Sequence, residues 1–115
     1  MKPIFIKGSR IPSLVSIFFK VAAITIGPLV FCRDSSPSTA LMNHESIHVK
    51  QWAELLFVFF PVFYLCAWLF GLAVHRNPVD AYLSIPFEQE ARDFERRPDK
   101  RKPFGWIRYD MMKTP

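Results

Sequence analysis

Hydrophobic positions in this chain fall into runs, and the way the runs are broken predicts its elements. Val21-Ala22-Ala23-Ile24-Thr25-Ile26-Gly27-Pro28-Leu29-Val30-Phe31 is rich in β-branched residues and interrupted by Gly27-Pro28. It predicts a strand pair over 21–31, joined by a turn or bulge. Arg33-Asp34-Ser35-Ser36-Pro37 is a loop ending in a helix start. Ser36 can act as N-cap, with Pro37 at the first helical position, where its missing N–H costs nothing. A helix over about 37–60 follows, until Pro61 interrupts it. A second apolar helix spans about 62–75, ending before Arg76-Asn77-Pro78. A third, over about 84–96, carries Phe87-Glu88-Gln89-Glu90-Ala91-Arg92-Asp93-Phe94-Glu95. Residues 1–12, with Pro3, Gly8 and Pro12, read as irregular or as a short strand, and 13–20 fit either a short helix or a buried strand. The tail, 97–115, holds Pro98, Pro103 and six basic residues and reads as extended or loosely packed. Together these elements predict an α+β fold: a small N-terminal sheet or hairpin, one central helix, an apolar helical hairpin and a glutamate-bearing helix.

The longest run changes that picture. Leu55 to Val74 is twenty residues without a charge, the length of a bilayer span. A straight span would put Glu54 and His75 about 30 Å apart, on opposite sides of a membrane. Yet Lys2, Lys7, Arg10, Lys20 and Arg33 precede the run and Arg76, Arg92, Arg96 and Arg97 follow it. Both flanks carry the positive charge of cytoplasmic segments. The run is therefore expected to break at Phe60-Pro61 and return, as a hairpin that dips into membrane lipid or docks on an apolar protein partner through 55–74. The expected location is membrane-associated, with the chemistry of the chain on the cytoplasmic side.

Composition agrees. At 115 residues the chain predicts a single domain, 1–115, with one core. Half of its residues are hydrophobic and twelve are Phe, more aromatic surface than so small a core buries by itself. The net charge of +5 is spread over both ends, and the aromatics cluster in apolar runs rather than along a basic stripe. No nucleic-acid partner is expected, and an anionic lipid surface suits the charge better. Cys32 and Cys66 form no CxxC pair or zinc spacing, and Cys66 reads as a small hydrophobe. Near the N-terminus no apolar run leads into a small-residue cleavage site, so a cleaved signal peptide is not expected.

The chemistry centres on His44-Glu45-Ser46-Ile47-His48. On a helix, positions four apart share a face, so both imidazoles can reach one cation. The same spacing aims Glu45 at a water on that cation, the arrangement of a zinc hydrolase. A catalytic zinc takes three protein ligands and keeps one position open. His75 reads as a helix-end histidine. Glu54 lies about 80° around the helix from the ligand pair, and Asp80 has no helical partner pattern. What remains is Glu88-Gln89-Glu90-Ala91.

HExxH followed by E-x-x-A resembles the gluzincin zinc metallopeptidases, especially compact, membrane-linked ones. His48-Val49-Lys50-Gln51 extends the match to HExxHxxQ, and Thr25-Ile26-Gly27-Pro28-Leu29-Val30-Phe31 is similar to the TxG strand pair before the active helix of small zincin-like domains. The likeness covers about 22–53 and 85–95. It implies a minimal zincin-like domain that binds Zn2+ through His44, His48 and Glu88, with Glu90 as the alternative third ligand. Glu45 is then the general base, and Ala91 the small residue that lets two helices approach. The implied activity is hydrolysis of a peptide or protein substrate by a Glu45-activated, zinc-bound water. The substrate would lie extended along the edge Ile24–Val30, touching Ile24, Thr25, Ile26 and Gly27, where Gly27 permits close backbone approach. The oxyanion partner stays open among Tyr64, His75 and Tyr82. Two departures stand out. Arg92, followed by Asp93, occupies the place where relatives carry an Asp or Asn that orients a ligand histidine, and the apolar insert is long. The alternative is a non-catalytic, zincin-like accessory subunit of a membrane or multi-protein assembly. The intact Glu45 favours the enzyme, because a structural site has no use for a base.

Overall fold

Gly27 turns the chain with φ +59°, a left-handed value that suits glycine, and the strands on either side pair antiparallel. In the computed structural model, which describes residues 2–14 and 22–113, three strands form one sheet: β1 (Ile4–Ile6), β2 (Ala23–Ile26) and β3 (Leu29–Cys32), in the order β1-β3-β2. Thr25 faces Val30 across the hairpin, and β1 runs parallel to β3 on its far side with Phe5 opposite Val30. That order leaves β2 as an edge strand. Residues 15–21, most of the ambiguous 13–20 stretch and the start of the expected strand pair, lie outside the described residues; 11–14 form the short helix α1 (Ile11–Leu14).

The helices are α2 (Thr39–Glu54), α3 (Phe59–His75), α4 (Pro78–Ser84) and α5 (Pro86–Phe94), so the fold is α+β. Four features differ from expectation. Helix α2 begins two residues after Pro37, because Ser38, not Ser36, is the cap: its hydroxyl accepts from the Leu41 N–H at 3.1 Å. The break after α2 is at 55–58, not at Pro61. Leu56 and Phe57 adopt left-handed backbone (φ 56° and 62°), and the axis swings by 113° into α3. Pro61 sits in the first turn of α3, where no intrahelical N–H bond is lost. Helix α4 was not expected; Asn77 caps it by accepting from the Val79 and Asp80 N–H groups, and Pro78 opens it. The tail is packed rather than loose, with 3-10 turns at 98–100 and 105–108 and the Arg101 side chain only 3% exposed.

Two apolar clusters flank α2. On the sheet side Val49 packs with Ala23, Val30 and Cys32; on the other, Phe60, Ile85 and Phe87 gather Trp52, Tyr64, Tyr82 and Trp106. Helices α3 and α4 cross so closely that a Cβ at Gly71 would lie 3.0 Å from the Ala81 Cα. Cys32 is buried, Cys66 is exposed, and both are free thiols. Among the described residues no single helix is long and apolar enough to cross a membrane.

Candidate metal centre

One face of α2 carries His44 and His48, whose rings meet edge to face with centroids 5.0 Å apart. Donor atoms of His44, Glu45 and His48 lie within 4.8 Å of one another, close enough to hold one metal ion. Packing of α5 against α2 brings in Glu88, with Ala91 of the same helix fully buried. The Glu88 Oε1 is 3.1 Å from the Nε2 of both His44 and His48. Two imidazole nitrogens thus meet one carboxylate oxygen beside Glu45, a gathering of donors that could hold a metal ion.

Each ligand candidate is held from behind. His48 Nδ1 faces Gln51 Oε1 at 2.7 Å, which sets Nδ1 as the N–H and leaves the Nε2 lone pair for the metal. Gln51 is itself fixed, donating from Nε2 to the Phe87 carbonyl at 3.1 Å and to Glu90 Oε1 at 2.8 Å. Arg101 then donates from Nε to Glu90 and from both terminal nitrogens to Glu54, each at 2.8 Å, and the Trp106 indole also donates to Glu54. A side chain at Gly105 would collide with the second Glu90 oxygen, so the tail closes directly over this carboxylate. His44 Nδ1 lies 3.3 Å from Glu95 Oε1, and Asn43 donates to the Glu95 carbonyl.

Glu45 is treated differently. It is buried, and Thr25 of β2 donates a 2.6 Å hydrogen bond to its Oε2. Tyr64 donates to Glu88 Oε2 at 2.7 Å. Tyr82 lines the same cavity as Glu88; burial first, and then the Glu88 charge, push its hydroxyl far up, so it stays a proton donor. Without a metal the pair His48–Glu88 behaves as an ion pair. Burial alone would lower the His48 pKa, but the Glu88 charge and hydrogen bond, with Glu45 and Gln51, push it up to about 9. Burial likewise opposes ionisation of Glu88, yet the two histidines hold it well below the usual carboxylate range. The same proximity that pairs these groups is what a cation would exploit.

Beside them lies a cavity of about 420 Å³, lined by 23–26 of β2, by Trp52, Phe60, Pro61, Tyr64 and Tyr82, and by Glu45, His48 and Glu88. Ile24, Thr25 and Ile26 therefore border it, whereas Gly27 sits at the turn against Phe57. Glu90 does not face the imidazoles; its carboxylate serves Gln51 and Arg101. His75 bonds the Met111 carbonyl and Ser84 and is not part of the cavity lining, which leaves Tyr64 and Tyr82 of the three oxyanion candidates beside Glu88. Arg92 donates to the Leu83 carbonyl and Asp93 accepts from Tyr109, so neither supports a ligand histidine. Glu95 takes that position instead. It lies seven residues, two helical turns, beyond Glu88, a same-face spacing visible in the sequence. Arg101 left no such signal. Compared with known protein families, curated proteins and solved structures, the chain has no significant match.

Proposed function

We propose that this chain is a zinc-dependent peptidase working at a membrane surface, its metal site on the cytoplasmic side. The observation that carries the reading is a division of labour between two buried glutamates. Glu88 faces both imidazole Nε2 atoms, while Glu45 is held by Thr25 beside the cavity. His44, His48 and Glu88 would hold the ion, and two imidazoles with one carboxylate suit zinc. Bound there, zinc supplies a Lewis acid that polarises the scissile carbonyl and acidifies a neighbouring water.

The other parts belong to the chain. Thr25 occupies one Glu45 oxygen and leaves the other to take the proton of the attacking water and hand it to the leaving amine. Tyr64 and Tyr82 present hydroxyl donors where negative charge develops. Among the described residues no strand pairs with the outer edge of β2, which would offer backbone groups to an extended peptide, with Ile24, Thr25 and Ile26 along its path. Both basic flanks of the apolar run support the cytoplasmic placement.

Replacing Glu45 with Gln keeps the shape and removes the base. Hydrolysis of a peptide library by the zinc-loaded protein should fall by about 10²–10⁴-fold, with zinc content unchanged. Full activity in that variant would refute the assignment.

A further inference from the structure

We propose that α3 and the tail form one face that lies on an anionic bilayer, and that the adjoining cavity takes the interior of an apolar peptide segment where it leaves the lipid. The docking half stands by itself; the substrate half rests on the peptidase reading.

Helix α3 is the most apolar helix among the described residues, yet Phe60 and Gly71 are its only buried residues. Val62, Leu65 and Leu69 are each more than half exposed, and Leu56 and Val58 before the helix reach 70% and 67%. At 100° per residue, the exposed positions from Pro61 to Phe70 sweep about 200° of the circumference. A partner that seats a helix in a groove reads a narrower stripe, whereas lipid wets the whole arc. Seventeen residues give a rod of about 25 Å, short of a bilayer core, and the 113° bend turns its N-terminal end away from the line of α2. Lying in the interface suits that shape.

The tail continues the same surface. Phe63, Cys66 and Phe70 of α3 share a groove with Trp106 and Met111, and His75 bonds the Met111 carbonyl at 3.0 Å. Exposed Phe104, Ile107 and Met112 each stand within two residues of an exposed cation, Lys102, Arg108 and Lys113, and exposed Arg76 ends α3. Between 102 and 113 the exposed charges are Lys102, Arg108 and Lys113 against the one acid Asp110, so cations predominate among the apolar groups, which suits an anionic lipid headgroup layer over an acyl region.

Pro61 belongs to both surfaces. It is exposed on α3 next to Leu65 on the helical wheel, and with Phe60 and Tyr64 it lines the cavity. The cavity therefore borders the lipid face. Among the described residues its lining contains no Lys, Arg or Asp, and its only carboxylates are Glu45 and Glu88, both already engaged. Away from Glu45, His48 and Glu88 the walls are 23–26 of β2, Trp52, Phe60, Pro61 and the two tyrosines, so a charged side chain seated against them would have no counter-charge, which is costly, and an internal apolar stretch fits.

Cys66 provides a native reporter, being exposed on α3 while the other thiol, Cys32, is buried. The full chain carrying Glu45→Gln, labelled at Cys66 with an environment-sensitive fluorophore, is mixed with phosphatidylcholine vesicles with and without phosphatidylserine. A blue-shifted, several-fold brighter emission is expected, stronger with phosphatidylserine. Arg108→Gln with Lys113→Gln should weaken anionic-vesicle binding about 25-fold, roughly fivefold per cation. An unchanged emission with either vesicle, or a shift that needs only higher protein concentration and so reports a second copy, would overturn docking. The unlabelled wild type is then given two acylated vesicle-bound peptides, one with an apolar core and one with Lys and Asp placed there. At least tenfold faster cleavage of the apolar one is expected, and equal rates would overturn the substrate class. A lipid response with no cleavage of any peptide would remove the peptidase reading and leave docking intact.

Discussion

Between α2 and α5 the chain buries His48, Gln51, Glu88 and Glu90, none more than 4% exposed, while along α3 it leaves Val62, Phe63, Leu65 and Leu69 about half exposed. The first region takes four polar groups out of water and gives each of them partners, leaving the second Glu90 oxygen without one. The second keeps apolar side chains in contact with solvent and compensates none. Neither choice is explained by stability. Buried ion pairs are commonly matched or bettered by apolar replacements of similar size, and burying the α3 face would gain roughly 25 cal/mol per Å2. As proposed, each region has something to bind, a cation for the first and a lipid surface for the second. The cavity lies where the two meet, with Phe60, Pro61 and Tyr64 contributed from the apolar side and Glu45, His48 and Glu88 from the polar one.

The contrast is broken most sharply at Arg101. Arg101→Met would strand Glu54 and Glu90 without their shared counter-charge, at a cost of about 3–5 kcal/mol in urea unfolding. Because Glu90 holds Gln51, and Gln51 holds His48, zinc affinity should fall by about 10–100-fold as well. Adding Glu90→Gln removes one of the two stranded charges and should recover part of both losses. An unchanged unfolding midpoint would show that the tail does not brace the polar region.

A smaller effect is expected at Thr25. Thr25→Val keeps the shape and deletes the donor to Glu45, a bond to a charged group valued at about 1.5–3 kcal/mol. Turnover should drop by roughly ten- to a hundredfold while zinc affinity holds. Loss of zinc together with activity would place Glu45 among the ligands instead.

Proton linkage gives the next step down. With its pKa raised to about 9 in the metal-free chain, His48 is protonated at pH 7, and a metal must displace that proton. Zinc affinity should therefore rise about tenfold per pH unit from neutrality toward 9, flatten above it, and fall as the solution is acidified. Zinc titrations in buffers of different ionisation enthalpy should record close to one proton released at pH 7. A pH-independent affinity would contradict the ion pair.

The smallest effect belongs to the other region. Leu65→Gln on the exposed arc should change stability in water by no more than about 0.5 kcal/mol, although it puts an amide in the most apolar helix. A loss of several kcal/mol would mean that α3 is packed where it is described as exposed.

What could be read from the sequence follows how local each feature is. His44, Glu45, His48 and Gln51 share one helix, so their juxtaposition needs only the helical period. The Gly27-Pro28 turn is equally local. The break at 55–58 escaped because Leu55-Leu56-Phe57-Val58 has neither Gly nor Pro. Its left-handed residues are held by backbone bonds, from the Leu56 N–H to the Ala53 carbonyl and from the Phe57 N–H to the Trp52 carbonyl, against an intrinsic cost of about 1–2 kcal/mol each. Pro61 pointed to the wrong place because proline breaks a helix interior but fits a first turn. The supports behind the histidines, Glu95 and Arg101, approach from 51 residues away and, through Glu54, from 47. Only tertiary packing decides which of many surface-type charges end up there.

In the proposed site His44, His48 and Glu88 form a ligand set from which Glu45 stands apart. Isothermal titration of zinc into the full chain and into Glu45→Gln and Glu88→Gln tests it most directly. One ion per chain with similar affinity is predicted for the wild type and Glu45→Gln, and a large loss of affinity for Glu88→Gln. Equal affinity in Glu88→Gln, or loss in Glu45→Gln alone, would contradict it.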